Sequence, residues 1–347
     1  LFAFRKLIAI AESLGKQRRK TMTEAIDPGE VRFFSGSSHP KLSADIASYL
    51  GVPLDKTEIT RFSNDNLCIQ LGASVRSRTV FIVQSLSPPV NEHLMELLMM
   101  LDIARAASAR EIHAIIPYFS FARSDKKDAP RISITARLVA DLLQTAGATQ
   151  VMTMMLHSPQ VHGFFSVPTD PLSSRPVFRG HFHQRDLSNT IVVAPDMGHA
   201  KSAAQFAKDL GLPVAAGDKE RVSDTEVRIS GLVGHQIHGY KRALMYDDEV
   251  ATGGSILEMC RLLIEQGIQE IWVACTHGVF VRGGLEKLVA VPQITEIVTT
   301  DTVYIPPEKR HPKLHTLSVA SVFGEAIRLN YLRQSLGDLF VFGDETL

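Results

Sequence analysis

The sequence predicts an α/β protein of two similar halves, each a mainly parallel sheet flanked by helices. Three observations predict it. Short β-branched runs alternate with amphipathic helical stretches from about Val31 onward, and a strand–helix–strand order closes only as parallel pairing with a crossover. The alternation restarts near residue 190 with a comparable set of elements. The length, 347 residues with 45% apolar side chains, suits two cored domains and argues against disorder.

In the first half, VRFFSG, TVFIVQS (79–85), EIHAIIPY (111–118) and VMTMML (151–156) read as strands. NEHLMELLMMLDIARAASA (91–109) and ITARLVADLLQTAG (134–147) place apolar residues at helical spacing. Met95, Met99, Met100, Met152, Met154 and Met155 are expected in a core or a subunit interface. The Pro- and Ser-rich stretch PTDPLSSRP (168–176) is the expected linker. In the second half, IVVAPD (191–196), PVAAGD (213–218), RALMYDD (242–248), EIWVACTHG (270–278) and EIVTTD (296–301) read as strands. HAKSAAQFAKDLG, SILEMCRLLIEQG and residues 321–334 read as helices. The expected organisation is an N-terminal extension (1–28), a first domain (29–170) and a second domain (171–347), with the last helix returning to the first domain.

Composition excludes several function classes. Thirty-seven basic and 37 acidic residues balance, so no general attraction draws the chain to nucleic acid or acidic membranes. No apolar run reaches membrane-spanning length. Arg5 and Lys6 interrupt the apolar N-terminus, and no small-residue cleavage site follows its basic cluster; a leader helix or tail is expected there, not a signal peptide. Cys68, Cys260 and Cys275 lack CxxC spacing, which points to free thiols in a reducing, cytoplasmic compartment.

In open α/β sheets, ligands sit at the carboxyl ends of strands. YDDEVATGGS (246–255) follows an apolar strand there. Thr252, Gly253, Gly254 and Ser255 can present N–H groups and hydroxyls to a phosphate at a helix N-terminus. Neither the Walker A nor the dinucleotide fingerprint is present. Asp247 and Asp248 would repel a phosphate but can accept from sugar hydroxyls or hold a divalent cation. A pentose 5-phosphate satisfies both ends. As plain structure, the stretch is a polar strand end with Ser255 as N-cap. FARSDKKD places Arg123, Lys126 and Lys127 beside Asp125 and Asp128 just after another strand, a cationic end suited to polyphosphate.

The DDxxATGGS loop resembles that of type I phosphoribosyltransferases and of the ribose-phosphate pyrophosphokinases (PRPP synthetases). RFSNDN (61–66), SPPVNEHLMELLMMLDIARAASA (87–109), PYFSFARSDKKD (117–128), LHSPQVHGFF (156–165) and PDMG (195–198) resemble pyrophosphokinase segments in order and spacing, from about Val31 to Phe340. The resemblance implies two type I phosphoribosyltransferase-like domains. It implies transfer of a diphosphoryl group from Mg–ATP to ribose 5-phosphate, giving PRPP and AMP. It assigns ATP to Phe62, Asn64, Asp65, Asn66, Arg123, Ser124, Asp125, Lys126, Lys127 and Asp128, with Phe62 stacking on adenine from a neighbouring subunit. Ribose 5-phosphate is assigned to Asp247, Asp248, Ala251, Thr252, Gly253, Gly254 and Ser255. Mg²⁺, with Mn²⁺ as the substitute, is assigned to His157, Asp196 and Asp170. Lys219 and Arg221, in a polar loop after a strand, and His157 carry catalysis. A homo-oligomer of dimers, reaching a hexamer, is implied as well.

Several positions depart from the family's pattern. Met155 and Ser166 stand where acids are usual, Met197 where a His or small residue is frequent, and Ala251 where many members have Asp. His162 and His199 lie near these positions and are the candidates to compensate. Ala251 favours an alternative, a phosphoribosyltransferase that consumes PRPP. Met155 and Ala251 together favour a second, a non-catalytic regulatory subunit.

Overall fold

The computed structural model describes residues 25–221 and 227–340, with the side chains of 219–221 and 227–230 left out of the description. Among the described residues, two sheets form the core of two halves. The first is wholly parallel, in the order β1 (Val31–Ser35), β4 (Thr79–Val83), β5 (Glu111–Ile116), β6 (Gln150–Met154) and β7 (Thr169–Leu172). β4 is buried along its whole length and shows how both faces are covered. Val80 and Ile82 join the core under α2 (Val90–Ala106) and α3 (Thr135–Ala146). Phe81 and Val83 face the opposite core, beneath α1 (Pro40–Leu50) and α8 (Ala320–Tyr331). A strand buried on both faces reads as a continuous apolar run, as TVFIV does.

The second sheet runs β10 (Val227–Gly234), β9 (Val214–Arg221), β8 (Thr190–Ala194), β11 (Arg242–Val250), β12 (Glu270–Gly278), β13 (Ile294–Thr300) and β14 (Leu314–Leu317). Only β9 and β10 pair antiparallel among the described strands of this sheet. Ala243 and Met245 pack under α6 (Gly254–Glu265) and α7 (Gly284–Val289). Leu244 and Tyr246 pack under α4 (Arg175–Phe182) and α5 (Ala200–Leu210).

Two expectations are corrected, and one hairpin went unread in the sequence. The stretch 168–176 is not a free linker: β7 occupies its centre and hydrogen-bonds to β6, and α4 begins at Arg175. Pro171 is tolerated because β7 lies at the sheet's edge. Lys219 and Arg221 lie within β9, opposite Ile229 and Val227, and not in a loop beyond it. RFSNDN caps a hairpin of β2 (Thr57–Arg61) and β3 (Leu67–Leu71), elements whose short, half-exposed strands gave little apolar pattern. Met100, Met152, Met154 and Met155 are core residues as expected, whereas Met95 is exposed.

The last helix crosses back to the first half. Val322, Phe323, Ala326 and Ile327 share a core with Leu42 and Ile46 of α1. Phe340 forms a β-bridge with Leu172.

The carboxyl ends of the two sheets face one another across a polar seam. His277, at the end of β12, is 2% exposed and reaches the carbonyls of Met154 and Met155 through Nε2, each at 3.1 Å. Its Nδ1 lies 2.9 Å from Thr302 Oγ1, and its ring packs on Tyr118 with centroids 4.8 Å apart. Burial pushes the His277 pKa down to about 4, so the ring is neutral. The unfolded chain takes up a proton near the ordinary value of 6.5, and the native state does so only near 4. Stability from this group is therefore present above about pH 6.5 and lost as pH falls toward 4. The unfolding free energy of the wild type should fall relative to that of His277→Gln as pH drops through this window, by about 1–3 kcal/mol in all. Denaturant melts of both proteins at several pH values would measure it; a constant difference would refute the buried neutral ring.

Candidate active site

Asp247 and Asp248 lie inside β11, whose hydrogen bonding continues through them to Val250. Both are nearly buried, at 8% and 5% exposure. Two adjacent carboxylates in a low-dielectric site cannot both ionise without a cation or a proton. The structure supplies two imidazoles. His157, three residues beyond β6, places Nδ1 2.8 Å from Asp248 Oδ2. His199, in the turn before α5, places Nε2 2.9 Å from Asp248 Oδ1. One imidazole comes from each half, and Asp248 lies between them.

Asp196 fixes His199 in place. As N-cap of the turn, its Oδ1 accepts from the His199 backbone N–H at 3.2 Å and lies 3.2 Å from Nδ1. Asp247 Oδ1 is 3.4 Å from the same nitrogen. Burial opposes a charge on His199, but the hydrogen bonds to Asp196 and Asp248 outweigh it and push its pKa up to about 11. Burial also opposes ionisation of Asp248, yet its bonds to His157 and His199 hold its pKa well below the ordinary value. Asp247 goes the other way, raised by burial and by the neighbouring Asp248 charge. Like-charge repulsion between adjacent buried carboxyls drives the two in opposite directions.

Glu249 continues the row and faces the first half. Its carboxylate accepts from Tyr118 Oη at 3.0 Å and pairs with Arg123 Nη1 at 3.3 Å. Ser158 Oγ donates to Asp125 Oδ2 at 2.5 Å, tying the Arg123–Asp128 loop to the His157 loop. Ser124 Oγ donates to the Ser133 carbonyl at 3.3 Å. Lys126, Lys127 and Asp128 are exposed.

The Ala251–Ser255 loop starts where β11 ends. Gly253 has φ +76°, a conformation that costs other residues about 1–2 kcal/mol. It precedes α6, whose first N–H groups have no partner within the helix. Thr252, Gly254 and Ser255 are open, while Gly253 is buried against Gly284 and Leu288. A cavity of about 340 Å³ lies beside the histidine pair, walled by Met155, His157, Gln160, Gly198, His199 and Lys201.

The structure thus gathers His157, Asp196, Asp247 and Asp248, with Arg123 and Asp125 joined through Glu249 and Ser158. Asp170 is elsewhere: it lies in mid-β7 and accepts from Gln150, which begins β6, while His157 lies beyond that strand's end. Phe62, Asn64, Asp65 and Asn66 sit exposed on the hairpin tip, with Phe62 56% exposed. The side chains of Lys219 and Arg221 lie outside the described ones. Of the two compensating histidines, only His199 reaches the acids; His162 Nε2 instead bonds the Thr169 carbonyl at 2.9 Å. Sequence reasoning missed Glu249 and Tyr118. The only signal for Glu249 was a third consecutive acid after Asp247 and Asp248.

Comparison with known proteins decides the family. A model described as the N-terminal domain of ribose phosphate pyrophosphokinase matches residues 31–147, and a phosphoribosyl synthetase-associated domain matches 225–341. A Deinococcus radiodurans chain named ribose-phosphate pyrophosphokinase is 46% identical over 312 residues, covering 88% of this chain and 97% of its own length. This chain belongs to the ribose-phosphate pyrophosphokinase family. A Streptomyces coelicolor chain given the same name provisionally is 50% identical over 311 residues, covering 90% of this chain and 98% of its own. The crystal structure of phosphoribosylpyrophosphate synthetase from Mycobacterium smegmatis superposes with a TM-score of 0.82 at 34% identity, over 88% of this chain and 99% of that one. The pyrophosphokinase fold thus extends across both sheets and the site between them.

The close approach behind the loop yields a test. A Cβ on Gly284 would lie 2.5 Å from the Ala251 carbonyl oxygen, so Gly284→Ala must push the loop outward. The expected cost is about 1–3 kcal/mol of stability, read from denaturant melts. A variant as stable as the wild type would show that the loop is not held as described.

Proposed function

We propose that this pyrophosphokinase transfers the diphosphoryl group of ATP to the anomeric hydroxyl of ribose 5-phosphate, giving PRPP and AMP. The observation that carries this is end-to-end similarity. Chains named for the activity match over 97% of the Deinococcus protein, and the solved synthetase over 99%. The transferase and regulatory alternatives are not favoured, since the relatives named for the activity match across both halves.

In the proposed reaction the anomeric oxygen bonds to the β-phosphorus. The bond from that phosphorus to the α-phosphate oxygen breaks, AMP leaves with its electron pair, and the hydroxyl proton is released. Catalysis of such a transfer is positioning plus charge stabilisation. We place the sugar phosphate on the Ala251–Ser255 loop, where the open α6 N-terminus favours an anion, with its hydroxyls toward Asp247 and Asp248. The nucleotide lies toward Arg123–Asp128, with Phe62 and Asn64–Asn66 offered from the hairpin of a neighbouring copy. Phe62's exposure supports that role, because an isolated hairpin tip has no core to fill. Lys219 and Arg221 neutralise the transferring group, a role resting on the resemblance alone.

Mg²⁺, or Mn²⁺ in its place, supplies charge neutralisation at the phosphoryl oxygens when bound. His157 and Asp196 would hold it, and their convergence around Asp248 and His199 fits a cation; Asp170 does not share that position. We place the ATP side in residues 29–170, with β7 carrying that sheet on to Leu172, and the ribose side in 171–347, with α8 packed back on the first half. Exposed Leu138 and Leu142 on α3 and Met95 on α2 support a homo-oligomer, for which dimers assembling to a hexamer is the proposed form. Among the described residues no helix is long and apolar enough to cross a membrane, and we place the enzyme in the cytoplasm.

Purified protein given ribose 5-phosphate, ATP and Mg²⁺ should release AMP and PRPP in equal amounts. Pyrophosphate release that depends on a nucleobase would support the transferase instead, and activity only after adding an active homologue would support the regulatory subunit. Lys219→Ala should lower kcat by about 100-fold or more with the fold intact by circular dichroism. Near-normal turnover would remove Lys219 from the mechanism.

A further inference from the structure

We propose that Glu249 is a positioning residue for nucleotide binding: it holds the Arg123 guanidinium at a fixed distance from the strand that carries Asp247 and Asp248. Three observations carry it. Glu249 lies on β11, two residues beyond Asp247 and two before Ala251, yet its side chain reaches the other half and places Oε1 3.3 Å from Arg123 Nη1. Its second oxygen accepts from Tyr118 Oη at 3.0 Å, so the carboxylate is held at both oxygens. Tyr118 is itself fixed. It is 5% exposed, its N–H donates to Ser85 Oγ at 3.2 Å, and its ring packs on His277 with centroids 4.8 Å apart.

A carboxylate beside a polyphosphate site repels the ligand, so its presence needs a reason. The exposures supply one. The Glu249 side chain is 4% exposed and the Arg123 side chain 54%, so the acid forms the fixed inner end of the pair and the guanidinium the accessible end. A guanidinium carries five N–H donors in a rigid plane, and one of its nitrogens meets Glu249. Donors remain for a phosphate, in a plane that the carboxylate sets. Arg123 is the last residue of a four-residue turn. A long side chain loses rotamer freedom when it binds, and holding it beforehand removes part of that loss. Because the clamp and the sugar acids share one strand, the anchors of the two substrates keep a constant separation. An in-line transfer needs this, since a misplacement of about 1 Å costs on the order of 100-fold in rate. The inference deepens the proposed reaction and rests on its placement of the nucleotide at Arg123.

The test is equilibrium binding of a non-hydrolysable ATP analogue, with Mg²⁺, to the full chain, measured by calorimetry. Glu249→Gln, close in shape, should weaken binding by about 10-fold, the scale of one hydrogen bond to a charged group. Tyr118→Phe keeps the Glu249 charge but frees its carboxylate to turn, and should weaken binding by about 3-fold. Arg123→Ala should weaken binding as well. Adding Glu249→Gln to it should cost nothing more, because the acid acts only through the arginine. Tighter or unchanged binding in Glu249→Gln, unchanged binding in Arg123→Ala, or losses that add in the double variant would overturn the proposal. If Glu249→Gln does not fold, Tyr118→Phe alone and combined with Arg123→Ala decides in the same way. A merely structural role would lower the melting temperature without this pattern. In turnover, KM for ATP should rise while KM for ribose 5-phosphate stays within about twofold of the wild type. PRPP formation by the wild type separates the two ideas. Product with unchanged analogue binding in Glu249→Gln defeats only the positioning role, and the binding pattern without product defeats only the proposed activity.

Discussion

The constraint on which the rest of the structure depends is the burial of two adjacent carboxylates. Asp247 and Asp248 are carried inside because β11 runs on through them, between β8 and β12, to the sheet's carboxyl end. An uncompensated buried charge costs several kcal/mol, comparable with much of a domain's stability. The chain meets that cost with imidazoles from two places far apart in sequence, His157 and His199. Binding Asp248 from both sides also ties the two halves together.

The same logic extends along the seam. Glu249 is buried, and its carboxylate is met by Tyr118 and Arg123 from the opposite half. His277 spans to the Met154 and Met155 carbonyls at the end of β6. A seam of directional polar contacts fixes relative orientation more tightly than an apolar contact of equal area, because hydrogen bonds weaken steeply with angle. The apolar part of the union is left to α8, which crosses to pack on α1. Positioning and cohesion are thus assigned to different elements.

Met155 shows the local consequence. Its backbone φ is +43°, uncommon outside glycine, asparagine and aspartate. The turn holds because its carbonyl is bound by His277 and its N–H donates to Leu172 at 3.1 Å. The residue is 6% exposed, so its side chain also gains apolar burial. The turn that aims His157 at Asp248 is therefore kept although the residue type that usually favours it is gone.

The sequence by itself determined the two-half α/β architecture, since apolar runs such as TVFIV and RALMY can only be strands covered on both faces. It also determined the small-residue loop, because only glycine takes the Gly253 conformation cheaply and only a helix start makes use of it. It misread the edges. β7 looked like a linker because an edge strand tolerates Pro171, and the β2–β3 hairpin carried too little buried surface to show a pattern. What only the tertiary structure decided is the set of partners. Nothing in the spacing of His157, His199 and Asp248 shows that they converge, because the convergence depends on which strand ends face each other. The same geometry leaves Asp170 within its sheet, bonded to Gln150, and brings His199 rather than His162 to the acids. Sequence names the donors near strand ends; the packing of the two sheets chooses which of them share a charge.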